Sequence, residues 1–363
     1  MSIKHTVLAL ALVAASANSF ADAPQPERHV QTFLNVLNSS GGKPIEQLSP
    51  QAAREVLIGA QKGATLPEAE VTEKTIEVNG QPLRLNIVKP KGAQGTLPVF
   101  MFFHGGGWVL GDFQTHERLV RDLVVESGAA AVFVNYTPSP EAHYPVAINQ
   151  AYAATRWVAE HGADFGVDGK RLALAGNSVG GNMVAAVALQ AKQQHAPAIR
   201  YEVMLWPVTD AGFDTGSYQQ FQKGYFLTRN MMKWFWDNYT NKAGDRNNIL
   251  ASPLRATREQ LQGLPPTLIQ TAELDVLRDE GEAFGRKLDA AGVDVTVTRY
   301  NGLIHDYGLL NGLSDVPAVR TALRQAADGL KTHLKRCCAR RNAWLFFPLP
   351  QHKKSKESVT GLG

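Results

Sequence analysis

Short apolar runs alternate with amphipathic segments along most of this chain. Runs of strand-like composition lie at residues 71–78, 83–88, 99–104, 130–136, 171–175, 202–206, 267–272 and 295–300. Segments with helical periodicity separate them, at residues 118–127, 146–161, 181–193, 280–291 and 318–333. Several strands after residue 99 are apolar at every position, which is typical of strands covered on both faces of a parallel sheet. The alternation predicts an α/β fold.

Two features modify this simple alternation. Asn79 and Gly80 join the first two strands, and this dipeptide favours a tight hairpin, so we expect the sheet to open with an antiparallel pair. Residues 27–62 have a helical pattern, with Ser49 as an N-cap, and residues 210–248 are crowded with aromatic side chains. Most of these aromatics fit an ordinary core; the alternative is a helical cap over the carboxyl edge of the sheet, where α/β folds bind ligands.

The first residues have the composition of a secretory signal. Lys4 and His5 precede an apolar run at residues 6–17, and Ser19-Phe20-Ala21 supplies small residues for a cleavage site. We therefore expect residues 1–21 to be removed and the protein to be periplasmic or secreted; the alternative is a buried N-terminal helix. The run is shorter than the ~20 residues of a membrane span, and no stable membrane anchor is expected.

The formal net charge of +4 comes from the other end of the chain. Residues 335–363 carry seven basic side chains and one acid. They predict a disordered basic tail behind a single folded domain at residues 22–334. Because this charge is not accompanied by any nucleic-acid-binding motif, no nucleic-acid partner is expected. The only cysteines are the adjacent Cys337 and Cys338, a poor disulfide pair, so the core is expected to need none.

One serine lies in a motif that carries chemistry. The run Gly176-Asn177-Ser178-Val179-Gly180 follows an apolar strand and opens a helix of small residues. In that setting G-x-S-x-G predicts a nucleophile elbow, because the residues flanking the serine must lack bulky side chains. The helix after Ser178 would direct free N–H groups toward negative charge forming there.

A glycine-rich run, His104-Gly105-Gly106-Gly107-Trp108, follows another apolar strand. Bare backbone at such a position can approach a substrate carbonyl, as an oxyanion hole requires. The alternatives are a plain glycine turn and a phosphate-binding loop. The run has neither the G-x-G-x-x-G spacing nor a P-loop lysine, which disfavours phosphate binding.

Asp275 and His305 each lie just past a predicted strand. The neighbouring acids Asp279 and Glu280 are explained by the dipole of the helix that they begin. Alone, His305 is more typical of a surface histidine. Together with Ser178, however, the two residues follow in the order Ser…Asp…His that one class of α/β enzymes uses for its triad.

These four blocks, at residues 104–108, 176–181, 275–281 and 305, resemble the hormone-sensitive-lipase-like (bacterial type IV) esterases. The resemblance implies an α/β-hydrolase fold: a mostly parallel eight-stranded sheet flanked by helices, with a helical cap from about residues 27–62 and 210–248. It also implies that Ser178 attacks an ester carbonyl, that His305 transfers its proton, and that Asp275 orients His305.

The same resemblance assigns the oxyanion donors to the backbone N–H groups of Gly106, Gly107 and Val179, with Gly105 and His104 supporting the loop. Three positions depart from the family's usual residues: Asn135 and Asn177 replace acids, and Thr137 replaces an arginine. Our hypothesis is that these three once formed one supporting charge network that was lost as a unit, since a single orphaned buried charge is costly.

The sequence thus predicts a serine carboxylesterase that cleaves short-chain acyl esters, binds a small-molecule ester, and needs no metal or cofactor. An amidase or a carbohydrate deacetylase using the same triad is the alternative. A non-catalytic binding protein on the same fold is disfavoured because His305 is present. The sequence leaves a homodimer open, and does not name the physiological ester.

Overall fold

The computed structural model describes residues 23–242 and 244–335, and within them eight strands form one mixed sheet. The strands are β1 (Ala69–Val78), β2 (Gln81–Pro90), β3 (Leu97–Phe103), β4 (Ala130–Val134), β5 (Val167–Asn177), β6 (Glu202–Leu205), β7 (Thr267–Leu274) and β8 (Val295–Ile304). Their order is β1-β2-β4-β3-β5-β6-β7-β8. Strand β2 pairs antiparallel with β1 and β4, and every pair from β4 to β8 is parallel. The predicted eight-stranded, mostly parallel sheet is confirmed.

The hairpin between β1 and β2 forms where the sequence predicts it. Val78 pairs with Gln81, and the two residues between them, Asn79 and Gly80, have φ of 52° and 75°. Positive φ at both central positions is the requirement of a type I′ turn, whose twist matches that of the flanking strands. The antiparallel start of the sheet therefore follows from this dipeptide.

Ten α-helices accompany the strands in the described residues. They are α1 (Arg28–Ser39), α2 (Pro50–Ala60), α3 (Phe113–Ser127), α4 (Val146–His161), α5 (Val179–Gln194), α6 (Gly216–Gln220), α7 (Arg229–Tyr239), α8 (Arg258–Leu261), α9 (Arg278–Ala290) and α10 (Pro317–His333). Strand order reverses at β3, which lies between β4 and β5. Right-handed crossovers therefore place α3 and α4 on opposite faces of the sheet, so both faces are covered.

The centre of the sheet is fully apolar. All of β4 and the last five residues of β3 are buried, including the aromatic side chains of Phe100, Phe102 and Phe103. Helix α3 packs against α10, and α4 packs against α5. Because both faces are covered, the strands need apolar residues at every position rather than at alternate ones.

Helix α3 begins five residues earlier than its periodicity predicts. Asp112 Oδ1 accepts a hydrogen bond from the Thr115 N–H (2.8 Å), and the Thr115 hydroxyl lies 2.9 Å from the Asp112 N–H. This reciprocal capping box supplies the first turn with partners for its free N–H groups. Polar residues in that turn obscured the start of the helix in the sequence.

The two segments that depart from the alternation are helical. Ser49 caps α2 through the Ala52 N–H, and Thr228 caps α7 through the Met231 N–H. Helix α7 contacts the short 3-10 helix Ile45–Gln47 that precedes α2, so the two segments meet. Within the described part of the chain, none of the helices combines the length and the apolar character that crossing a membrane requires. The predicted signal and nearly all of the basic tail, residues 336–363, lie outside the described residues.

Candidate active site

Ser178 occupies the turn between β5, which ends at Asn177, and α5, which begins at Val179. Its backbone is strained, with φ 56° and ψ −121°. A Cβ on Gly176 would lie 2.4 Å from the Gly180 carbonyl oxygen, and one on Gly180 would lie 1.9 Å from the Phe103 carbonyl oxygen. Only glycine fits at either position, which is the physical reason for the G-x-S-x-G spacing.

The structure brings Ser178, Asp275 and His305 together. His305 follows the last residue of β8, and Asp275 follows the last residue of β7. His305 Nε2 lies 3.0 Å from Ser178 Oγ, and His305 Nδ1 lies 2.7 Å from Asp275 Oδ2. The second oxygen of Asp275 accepts the Leu277 N–H at 3.0 Å, which fixes the carboxylate. The three side chains form the nucleophile–base–orienter arrangement of a serine triad.

The electrostatics of His305 suit a base. Burial by itself lowers the pKa of His305, but the carboxylates of Asp275 and Asp306 outweigh it and raise that pKa above its usual value. The Asp306 carboxylate approaches Nε2 to 3.9 Å. All of these groups are at least nine-tenths buried, so little solvent screens the interactions. An imidazolium that forms during proton transfer is therefore stabilised from two sides.

The glycine-rich run after β3 passes beside the serine turn. Gly106 and Gly107 have φ of 97° and 64°, and a Cβ on Gly106 would lie 2.4 Å from the Leu110 carbonyl oxygen. Within the described residues neither the Gly106 nor the Gly107 N–H has a protein acceptor. Val179 is the first residue of α5, so its N–H has no acceptor in its own helix. Three unsatisfied donors are thus available for a substrate oxygen.

His104 holds the base of this loop without a charge. Its Nδ1 donates to the Gly105 carbonyl at 2.8 Å, and its ring stacks on Tyr136 with the centroids 4.1 Å apart. The Tyr136 hydroxyl donates to the His104 carbonyl at 3.0 Å. Burial lowers the pKa of His104 to about 4, so it is neutral at pH 7. Its contacts are those of a support for the loop.

The sequence did not show the part that two further residues play at the site. Asn177 lies directly before the serine and accepts the Gly105 N–H through Oδ1 at 3.0 Å. Its Nδ2 donates to Asp306 Oδ1 at 3.1 Å, and the Trp206 indole N–H donates to the same oxygen at 2.7 Å. The departure of Asn177 from the family pattern was the available signal. Asp306, beside His305, carried none.

The three positions that depart from the family pattern have different surroundings, and the hypothesis of one lost charge network stays a prediction. Asn177 is fully buried, whereas Asn135 and Thr137 are half-buried and have other partners. Asn135 Nδ2 donates to the side chain of Asn86, and the Thr137 N–H donates to Gln150. Within the described residues no hydrogen bond joins Asn177 to either position.

Glu280 does more than place a negative charge in the first turn of α9. Its side chain is buried, and Oε1 accepts the N–H groups of Thr209 (2.6 Å) and Asp210 (3.2 Å). Burial raises its pKa well above the usual range. These bonds tie the segment after β6 to α9. Asp279 accepts the Ser217 N–H at 2.7 Å and so fastens the start of α6 to the same helix.

Comparison with known proteins agrees with this geometry. A family model for the α/β hydrolase fold matches residues 100–309. The chain is 34% identical over 271 residues to the carboxylesterase NlhH of Mycobacterium tuberculosis. This match covers 74% of this chain and 84% of that one. It is 32% identical over 259 residues to an ethyl acetate hydrolase of Pseudomonas putida, covering 70% of this chain and 80% of that one.

Solved structures give the same result. The crystal structure of a thermostable esterase from Pseudomonas putida is 66% identical in sequence and superposes with a TM-score of 0.85. The match covers 87% of this chain and all of that one. A fungal esterase from Rhizomucor miehei is 39% identical, with a TM-score of 0.81 over 86% of this chain and 98% of that one.

Proposed function

This chain belongs to the hormone-sensitive-lipase-like family of α/β hydrolases, and from that premise we propose how it works. It is a carboxylic-ester hydrolase, as its relatives and structural neighbours are. The proposal is that it cleaves short-chain acyl esters through an acyl-enzyme on Ser178. The 3.0 Å approach of His305 Nε2 to Ser178 Oγ is the observation that carries it.

Acylation begins when Ser178 Oγ attacks the ester carbonyl and its proton passes to His305 Nε2. The carbonyl oxygen becomes an oxyanion, which the N–H groups of Gly106, Gly107 and Val179 stabilise. Asp275 keeps Nδ1 protonated and Nε2 free to accept. His305 then returns the proton to the leaving alcohol, and the acyl group stays on Ser178.

Deacylation repeats these steps with water as the nucleophile. His305 Nε2 takes a proton from the water that attacks the acyl carbonyl, and the same three N–H groups stabilise the second oxyanion. The proton returns to Ser178 Oγ as the acid leaves. Apart from the ester and one water molecule, the steps use only the side chains and N–H groups already named.

Two observations support short acyl groups. The ring of Phe235 on α7 lies against Gly107, where a Cβ would be only 2.0 Å away, so helix α7 leaves little space beside the glycine-rich run at residues 104–108, here called the oxyanion loop. Ser178 itself is only 4% exposed. In addition, one relative is named for the hydrolysis of ethyl acetate, an ester with a two-carbon acyl group.

The test is hydrolysis of p-nitrophenyl esters of increasing acyl length by the wild type and Ser178→Ala in parallel. We expect turnover of acetate and butyrate, a decline with longer chains, and no burst or turnover in Ser178→Ala. Equal rates for the two proteins would overturn the role of Ser178. A rate that rises with acyl length would overturn the short-chain preference alone.

We also propose that the protein is exported, on the pattern of residues 1–21. Expression of the full chain in a Gram-negative bacterium, followed by fractionation and N-terminal sequencing, tests this. A periplasmic or extracellular product that begins at Asp22 is expected. A cytoplasmic product that retains Met1 would contradict the proposal.

A further inference from the structure

We propose that Asn177 and Asp306 are a positioning pair that couples the oxyanion loop to the catalytic histidine, with Asp306 serving as a second carboxylate for His305. The inference rests on the proposed roles of Ser178 and His305. It adds two residues that neither touch the ester nor belong to the triad, and it assigns each of them a separate measurable effect.

The amide of Asn177 has one orientation only. Its Oδ1 faces a donor, the Gly105 N–H at 3.0 Å. Its Nδ2 faces two acceptors, Asp306 Oδ1 at 3.1 Å and His116 Nε2 at 3.5 Å. His116 Nδ1 lies 3.2 Å from the Asp112 carbonyl oxygen and 3.0 Å from the Thr115 hydroxyl, and the tautomer protonated at Nδ1 leaves Nε2 as an acceptor. A side chain with one acceptor and one double donor is required, and asparagine supplies both.

The bond to Gly105 sets the start of the oxyanion loop. Gly105 directly precedes the two N–H groups proposed to bind the oxyanion, and a Cβ on it would lie 2.5 Å from Asn177 Nδ2. Backbone and amide are therefore in direct contact, without space for the loop to shift toward β5. Oxyanion donors act only when they are held about 2.7–3.1 Å from the oxygen, so a small displacement of this loop lowers the rate.

Asp306 gives the pair its charge. It is 7% exposed, its Oδ1 accepts from Asn177 and Trp206, and its Oδ2 lies 3.9 Å from His305 Nε2. Its backbone has φ of 58°, a conformation that L residues rarely adopt, so the turn after His305 is held by these bonds. The carboxylate thus faces the side of the imidazole opposite Asp275.

The charges around this pair are few. His305 faces Asp275 from the loop after β7 and Asp306 from its own loop, and Ser178 lies at its Nε2. Burial holds the pKa of His116, on α3, well below its usual value, so that ring is neutral. Among the described residues, Asp306 is therefore the charged hydrogen-bond partner of Asn177, and its carboxylate forms no ion pair there other than the one with His305.

Asp306→Asn tests the charge, because an amide oxygen still accepts from Trp206 and Asn177. We expect the acid limb of the kcat/KM profile to move to lower pH, since His305 loses a carboxylate that favours its protonated form. Asp289→Asn, at an exposed position of α9, is the matched control and should leave the limb in place. An unchanged limb in Asp306→Asn would overturn the electrostatic part of the proposal.

Asn177→Asp tests the position, because it turns a carboxylate oxygen toward the two acceptors. We expect kcat to fall roughly 10- to 100-fold with KM nearly unchanged, a smaller effect than the ~10²–10³ for loss of an oxyanion donor. In the exchange variant N177D/D306N, one carboxylate and one amide replace the two facing carboxylates of Asn177→Asp, which removes their repulsion, although the Trp206 indole N–H loses part of its acceptor at position 306. We expect it to recover about tenfold of the lost kcat, because residues in contact are not additive.

If the fold-loss of kcat in N177D/D306N equals the product of the losses in Asn177→Asp and Asp306→Asn, the two residues act independently and the pairing is overturned. Circular dichroism and thermal unfolding identify any variant that fails to fold; if Asn177→Asp fails, the pH profile of Asp306→Asn still decides the electrostatic part of the proposal. Ser178→Ala, assayed beside these variants, distinguishes a failure of the proposed function from a failure of the proposed pair. If Ser178→Ala remains active, the proposed function is wrong. If Ser178→Ala is inactive but the losses in N177D/D306N are independent, only the proposed pair is wrong.

Discussion

A Cβ on Gly107 would lie 2.0 Å from Cδ1 of Phe235, so the oxyanion loop and helix α7 are in contact with no space between them. Trp108, the next residue, continues this contact by stacking on Tyr239, one turn further along α7, with the ring centroids 3.8 Å apart. The helix that covers the site therefore also determines where the loop lies. In the proposed mechanism, the space for the substrate and the position of the oxyanion donors therefore depend on the same packing.

Gly107→Ala should lower kcat by roughly 10²–10³, the loss that follows removal of an oxyanion donor. The new methyl group would displace the loop from Phe235, and φ of 64° adds strain for an L residue. Steady-state kinetics on p-nitrophenyl acetate would measure it. Gly41→Ala is a matched control, because Gly41 has φ of 69° but no neighbour within 4 Å.

Equal losses in the two glycine variants would show that backbone strain alone is responsible and that the contact with Phe235 has no effect. The double variant G107A/F235A separates the causes further. Removing the ring should restore part of the activity while the strain at residue 107 persists.

Asp275→Asn should lower kcat by a factor on the order of 10⁴, since an amide can present a donor to Nδ1 and favour the wrong tautomer of His305. KM should change little, because Asp275 touches no substrate atom in the proposed mechanism. Single-turnover kinetics with a p-nitrophenyl ester would assign the loss to acylation. A loss below tenfold would remove Asp275 from the triad.

The fold was largely predictable because its signals are local. Each strand is a short apolar run, and Asn79-Gly80 specifies the hairpin by its own backbone preferences. Ser178, Asp275 and His305 were identified because each follows a strand, and the carboxyl ends of parallel strands meet at one edge of the sheet. Their distances came only from the structure, but their proximity follows from topology.

The residues that escaped prediction depend on contacts between distant segments. Asp306 contacts Asn177 across 129 positions of sequence, and Phe235 meets Gly107 from a different segment. Glu280 sits in the first turn of its helix and fits a dipole argument, so nothing local indicates that it is buried. Periodicity reports which face of an element is apolar; it does not report which side chain the opposite element supplies.

Catalysis should depend on His305 being neutral, and the raised pKa of this residue sets the direction of the pH dependence. Below its folded-state pKa, His305 is protonated and cannot accept the Ser178 proton. The ascending limb of kcat/KM should therefore lie above pH ~6.5, the ordinary value for histidine. A pH–rate profile from pH 4.5 to 9 measures it. A midpoint well below 6.5 would mean that burial outweighs the two carboxylates.

Glu202→Gln should stabilise the protein at neutral and alkaline pH. Glu202 opens β6 and is 1% exposed, and its Oε1 has no hydrogen-bond partner among the described residues. Burial raises its pKa well above the usual value. The folded state therefore favours the protonated acid, and the wild type loses stability as pH rises from the unfolded-state pKa toward the folded-state pKa. Each pH unit between these two pKa values lowers the free energy of unfolding by about 1.4 kcal/mol.

The glutamine variant has no proton to lose, so the two proteins should unfold at similar temperatures near pH 4 and diverge at pH 8, with Glu202→Gln higher. Thermal unfolding followed by circular dichroism measures the difference at both pH values. Glu77→Gln, at an exposed position of β1, serves as the control and should show no such divergence. If Glu202→Gln melts below the wild type at pH 8, the buried carboxylate is ionised in the folded protein and stabilised by its surroundings.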